Sequence, residues 1–274
     1  MHYFIRMTDI RSVGTQTMTW SQKRQFTIIS VILAIFLILA VIFILPRLKE
    51  HPTCLDGKQN QKEVQIDCGG PCEKLCSFQA SNISVRWAKA LLVTGNFYNA
   101  LVYIENQNLN AGLKNISYEF KFYDQNNILI TERKGSTDVS QGGSSFIFEP
   151  AVDMKGFVPY RTTFKFTEEQ VFYKENSNIS KVFIAAEDKK LRDLDTNPKL
   201  QVVLSNESSL DLDNLEVVAI LYDTEGNAIG FSKSFVESFP KNKKKKVFFT
   251  WLKPFGTEIT KIEILSKFNG FLEK

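Results

Sequence analysis

Hydrophobic positions in this chain follow two different rhythms. From Phe26 to Leu45 they run almost unbroken: 16 of these 20 residues are Ile, Leu, Phe or Val, and Thr27 and Ser30 carry the only hydroxyls. A helix in a soluble core nearly always keeps a polar face, and this run has none. As a helix it spans ~30 Å, the hydrocarbon thickness of a bilayer. From Ser81 onward the period drops to two. Alternating runs predict strands at Val85–Val93, Tyr98–Glu105, Ser117–Asp124, Ile128–Arg133, Ser145–Phe148, Thr162–Phe166 and Lys181–Ala186. Past a polar stretch, further strands are predicted at Lys199–Ser205, Leu215–Asp223, Ala228–Val236, Lys245–Trp251 and Ile259–Leu265. In Tyr118-Glu119-Phe120-Lys121-Phe122 aromatic and charged residues alternate, as in a half-buried strand. Short strands separated by regular turn signals predict an all-β fold built of sandwiches.

The expected organisation is a tail at 1–25, a transmembrane helix at 26–45, a juxtamembrane segment at 46–80, a first β-sandwich at 81–190 and a second at 191–274. A polar bridge, Glu187–Asn197, has Leu191 and Leu194 as its only large apolar residues. It is expected to separate the sandwiches, leaving each with its own core and Pro198–Lys274 able to fold alone. Charge orients the chain. Of a net charge of +4 the tail holds +3, from Arg6, Arg11, Lys23 and Arg24 against Asp9. Positive flanks stay cytoplasmic, so the tail is expected inside and everything after Leu45 outside. The apolar run exceeds the ~7–15 residues of a cleaved signal's core and ends in Leu45-Pro46-Arg47, without a small-residue cleavage site. An uncleaved signal anchor is the expectation. The outer region is nearly neutral, which leaves no electrostatic footprint for nucleic acid.

All four cysteines, Cys54, Cys68, Cys72 and Cys76, fall in one segment with too few apolar residues to build a core. Their even number and extracytoplasmic placement predict two disulfides, with three pairings open. The spacing lacks the paired C-x2-C knuckles of zinc modules and the C-x-x-C of redox pairs. Asp56, Asn60, Glu63 and Asp67 bring hard oxygens of the kind calcium prefers. The alternative is a set of turns at Asp56-Gly57 and Gly69-Gly70-Pro71, with solvated acids between them. The segment resembles a cysteine motif of secreted and surface proteins, C-x-DG-x-x-N-x-x-E followed by DCGG-x-C and a further Cys. Its matching residues are Cys54, Asp56, Gly57, Asn60, Glu63, Asp67, Cys68, Gly69, Gly70, Cys72 and Cys76.

The two sets of strands read as copies of one unit. Val102-Tyr103-Ile104-Glu105-Asn106 answers Val202-Val203-Leu204-Ser205-Asn206, and Tyr118–Asp124 answers Val217–Asp223. Phe122 and Leu221 are expected to face their cores, and Asp124 and Asp223 to cap the turns that follow. Tyr222, on the opposite face from Leu221, is expected to tolerate truncation better. Phe120-Lys121-Phe122-Tyr123-Asp124 and Ala219-Ile220-Leu221-Tyr222-Asp223 resemble the F-x-L-Y-D signature of the FxLYD domain, an immunoglobulin-like β-sandwich of bacterial surface proteins. Phe122 stands where that signature has Leu, and Ala219 where it has Phe. The outer region as a whole resembles single-pass membrane proteins of bacteria. The resemblance implies two tandem immunoglobulin-like domains on a membrane anchor, and no activity.

Catalytic chemistry is sparse. The only histidines are His2 and His51, and neither sandwich contains a His or a Cys. This excludes Ser-His-Asp and Cys-His nucleophile systems there. Phosphate-cradling glycine loops are absent as well. No catalytic, cofactor-binding or metal residue is assigned, and no cofactor is expected. The run Lys241-Asn242-Lys243-Lys244-Lys245-Lys246 is either a patch for anionic headgroups or wall polymers, or a solvated turn that discourages edge pairing. Sequons at Asn82, Asn115, Asn178 and Asn206 matter only in a host that glycosylates them. The expected function is non-enzymatic: a binding surface or scaffold at the cell envelope, partnered by the membrane and by an envelope protein or polymer. A carbohydrate-active or redox enzyme is the alternative; as a glycosidase it would need a concave cleft where two carboxylates converge.

Overall fold

In a computed structural model of the chain, the described residues are 19–48, 53–174 and 182–268. Most of the expected tail therefore lies outside them, as do Asn178 and Lys181. The chain divides into two compact units, Met1–Pro52 and Thr53–Lys274. In the first, helix α1 runs over Trp20–Leu48. Its segment Trp20–Phe43 is long and apolar enough to cross a membrane, by length and composition.

The second unit is all-β. Its first half contains β1 (Ser84–Thr94), β2 (Phe97–Asn106), β3 (Ala111–Tyr123), β4 (Leu129–Val139), β5 (Gly143–Asp153), β6 (Arg161–Phe166) and β7 (Phe172–Lys174). Its second half contains β8 (Ile184–Arg192), β9 (Lys199–Asn206), β10 (Leu212–Tyr222), β11 (Ala228–Phe239), β12 (Lys244–Thr250) and β13 (Lys261–Phe268). They form sheets ordered β4-β3-β6 with β7 also on β3, β1-β2-β5, β11-β10-β13, and β12-β9-β8. All pairings between them are antiparallel. The second half reproduces the strand order of the first, with β8-β9-β12 matching β1-β2-β5 and β11-β10-β13 matching β4-β3-β6.

Each half buries a core of its own. Phe120, Phe122, Val102 and Ile104 lie in the first, and Val217, Ala219, Leu221 and Phe249 in the second. Leu221 faces inward as its alternation required. The alternate residues of the same strands are not left to solvent. Leu101 of β2 and Phe146 and Phe148 of β5 pack against Val218, Ile220 and Tyr222 of β10 and Phe231 of β11. The result is four sheets enclosing three apolar layers, the middle one a seam between the sandwiches.

Two expectations change accordingly. Glu187–Asn197 is not a bridge. Through Arg192 it belongs to β8, which pairs with β9 and sets Leu191 opposite Leu200. The segment reads as polar because β8 is an edge strand with one face in water, while Ile184, Ala186 and Leu191 pack on the second core. Tyr222 is only 8% exposed, because the first sandwich covers its face.

Polar groups at the strand ends also match between halves. Asn106 is buried, and its Nδ2 donates to Ala111 O and Ser140 O, both at 2.8 Å, while its Oδ1 accepts the Asn108 N–H at 2.9 Å. Asn206 repeats this with Leu210 O at 3.0 Å, Phe239 O at 2.8 Å and the Ser208 N–H at 3.0 Å. At the other ends of β3 and β10, Asp124 Oδ1 accepts the N–H groups of Asn126 and Ile128, and Asp223 Oδ1 those of Glu225 and Asn227. These are the expected turn caps. The Asn227 N–H in particular, against some burial, holds the Asp223 carboxyl below its usual range.

Urea unfolding of Thr53–Lys274 should therefore show Leu221→Ala and Tyr222→Ala both costing several kcal/mol, about 2–5 and 3–5 respectively. A Tyr222→Ala cost under about 1 kcal/mol, as for a surface site, would show the seam to be loose. Pro198–Lys274 alone, lacking β8 and exposing the seam face, should stay unfolded by circular dichroism. A depressed carboxyl stabilises while ionised, and that contribution is lost as pH falls through the folded-state value. The melting-temperature gap between wild type and Asp223→Asn should thus be constant above about pH 4 and close below it.

Candidate functional site

The cysteine segment is the site assigned by sequence, and it is a structural one. Cys54 pairs with Cys72 and Cys68 with Cys76, so the bridges interlace, and no cysteine is free. The oxygen-bearing side chains serve as pegs for backbone amides. Asp56 accepts the N–H groups of Thr53 and Lys58 and the Nδ2 of Asn60, the last at 2.7 Å. That Asn60 contact, helped by the two amides against some burial, lowers the Asp56 carboxyl from its ordinary range. Glu63, 6% exposed, accepts the N–H groups of Asn60 and Asp67, and Asp67 accepts that of Gly57. This is the geometry of a chain of turns.

Glu63 Oε1 lies 3.1 Å from Cys72 Sγ, and Cys54 completes a cluster with them. Both sulfurs are spent in the disulfide, so the cluster offers no thiolate to a metal. Gly70 holds φ +55°, and a Cβ there would run into Lys62 O, which explains the second glycine of Cys68-Gly69-Gly70. The segment is zipped to β7, a strand the sequence pattern did not reveal: Leu75 N–H donates to Phe172 O and Lys174 N–H to Glu73 O. Leu75 and Ala80 then pack on the first core.

The seam is the second site, and sequence reasoning missed it. A signal was present: Val217-Val218-Ala219-Ile220-Leu221-Tyr222 is apolar without alternation, as expected for a strand covered on both faces. Polar bonds reinforce the apolar contact. Tyr103 and Tyr222 donate their phenols to the two oxygens of Glu263 at 3.1 and 2.8 Å, and Lys89 Nζ donates to Ala228 O at 2.8 Å. Burial, together with Glu263, pushes both phenols above their usual range. Phe148 and Phe231 meet edge to face with centroids 6.0 Å apart. Cavities open along the seam, among them one of about 420 Å3 lined by Gln141, Ser144, Val182 and Ser266 among others. Another, of about 500 Å3, is lined by Leu91, Phe231, Trp251 and Phe255 among others. A smaller one, of about 280 Å3, is lined mainly by polar and charged groups.

No family model and no curated protein matches this chain. Among solved structures, the chain is similar to the exo-chitosanase CsxA of Amycolatopsis orientalis at 12% identity, covering 60% of this chain and 25% of that one with a TM-score of 0.24. It is similar to red sea bream transglutaminase at 10% identity, over 69% and 29% of the two chains, with a TM-score of 0.23. A β-glucuronidase of glycoside hydrolase family 2 is 10% identical, over 76% and 26%, with a TM-score of 0.19. This chain thus spans about a quarter of the length of these proteins, and likeness at that level carries no inference about activity.

Peptide mapping of the outer region without reduction should recover Cys54–Cys72 and Cys68–Cys76 cross-links and no alkylatable thiol. Either of the two other pairings would contradict the fold of this segment.

Proposed function

We propose that this chain is a non-enzymatic, single-pass membrane protein of the cell envelope. It holds two immunoglobulin-like domains of the FxLYD type outside the cell as one joined body, for binding or scaffolding. The seam carries this reading. Two copies of one unit that share a buried layer keep a fixed spacing, which suits a display element better than loosely tethered domains. The matched strand orders and the paired Asn106/Asn206 and Asp124/Asp223 bonds support the tandem repeat. The apolar helix and the tail's positive charge support the anchor and its orientation. Disulfides favour an oxidising compartment. The partner is an envelope protein or polymer.

Glycosidase chemistry fits less well. Asp138 and Glu216 both line the smaller cavity, but Asp138 holds the Asn115 N–H at 2.7 Å and Glu216 lies 3.4 Å from Lys233 Nζ. A glycosidase pair needs two carboxylates converging on one glycosidic bond, and both of these are already engaged within the protein.

Protease added to intact spheroplasts should remove Ser81–Lys274, whereas inside-out vesicles should protect it. The reverse pattern would overturn the orientation, and release of the whole chain from membranes by salt would overturn the anchor.

A further inference from the structure

One end of the seam is built from charge rather than apolar area. Around the cavity of about 280 Å3, Tyr118, Thr137 and Asp138 of the first sandwich face Glu216, Lys233 and Lys267 of the second. Lys267 is 8% exposed, and its Nζ donates to Thr137 Oγ1. An ammonium carries three donors, and burying it is costly unless acceptors surround it. Burial lowers the Lys267 pKa, while Glu216 and Asp138 oppose that shift. Lys233 contacts Glu216 and lies over the Phe148 ring, 5.5 Å from its centroid. Tyr118 donates its phenol to Glu149 at 2.6 Å. Its ring fits only because Gly135, opposite it on β4, has no Cβ to strike the phenol. Lys267 is the buried charge of this lining, while Lys233 and Glu216 are 28% and 22% exposed. A buried ion generally stabilises no better than apolar packing, and apolar packing is the larger part of the rest of the seam.

We propose that this cavity binds a neutral polyhydroxylated ligand of the size of one saccharide unit. Its lining balances two carboxylates, Asp138 and Glu216, against two ammoniums, Lys233 and Lys267. An anion would meet the first pair and a cation the second. A hydroxyl both donates and accepts, so a ring of hydroxyls can give hydrogen bonds to the carboxylates and lone pairs to Lys267. The volume lies near the ~300 Å3 lower bound of small-molecule sites, enough for a single ring. Because both sandwiches supply the walls, the site exists only while the seam is closed. The proposal does not depend on membrane orientation or on the choice of envelope partner.

The test uses the full chain in lipid nanodiscs, with saturation-transfer NMR against glucose, N-acetylglucosamine, inorganic phosphate and ethanolamine. Expected is saturable binding of at least one of the two sugars at millimolar concentration, weakened about ten-fold or more, or ~1.4 kcal/mol, by Lys267→Met and by Thr137→Val. Lys267→Met should not lower the melting temperature appreciably, since Met keeps the length of Lys without its charge, whereas Thr137→Val, which takes one acceptor from the buried ammonium, should lower it modestly while the chain stays folded. Should Lys267→Met fail to fold, Thr137→Val decides alone. The proposal is overturned if neither sugar saturates, if phosphate or ethanolamine binds in preference and depends on Lys267, or if sugar binding ignores both substitutions.

Discussion

The central strands of two of the four sheets, β2 and β10, are covered on both faces, and that constraint governs the rest of the unit. Sheets β1-β2-β5 and β11-β10-β13 each cover a core on one side and the other sandwich on the opposite side. A strand covered on both faces is apolar at consecutive positions, as β10 is from Val217 to Tyr222. Fully burying one large apolar side chain contributes roughly 1.5–3 kcal/mol, and the seam buries several from each half. The sandwiches are therefore coupled in stability, and losing the partner exposes a face that neither can cover alone.

Dry interiors of this kind demand that each strand end satisfy its backbone. Asn106 and Asn206 do so with one carboxamide apiece, each tying two carbonyls and an amide from the turns that join the sheets. Asp124 and Asp223 close the opposite ends by gathering turn amides. The cysteine segment uses the same economy with less to bury. Its carboxylates hold amides, its disulfides replace the missing core, and β7 fastens it to the first sandwich. Asn206 illustrates the consequence for its sequon: a side chain that spans three backbone groups and is wholly buried is closed to modification in the folded state.

Along the seam the chemistry changes from apolar contact around Leu101, Phe148 and Phe231 to a charged end around Lys267. The apolar part accounts for cohesion, and Tyr103 on Glu263 ties one half to the other, with Tyr222 holding the same carboxylate from its own sandwich. The charged part adds little to cohesion, which is why a ligand role is assigned there and nowhere else on the seam.

Local pattern sufficed for whatever a single segment determines. The apolar run at 26–45 implied a helix of membrane length, the period of two located most strands, and Tyr-Asp opening a short polar run marked both hairpin turns. Even the inward position of Leu221 followed from alternation, because the pleat sends neighbours to opposite faces. What covers the outward face is a non-local fact, and there alternation is silent. It marked Tyr222 as the position more tolerant of truncation when the first sandwich lies on it, and it separated β8 from the sheet it completes because an edge strand with one wet face looks like a linker. The pairing of four cysteines and the convergence of Thr137 with Lys267, 130 residues apart, likewise belong to the tertiary structure alone. Sequence spacing carries no information about which distant side chains the sheets bring together.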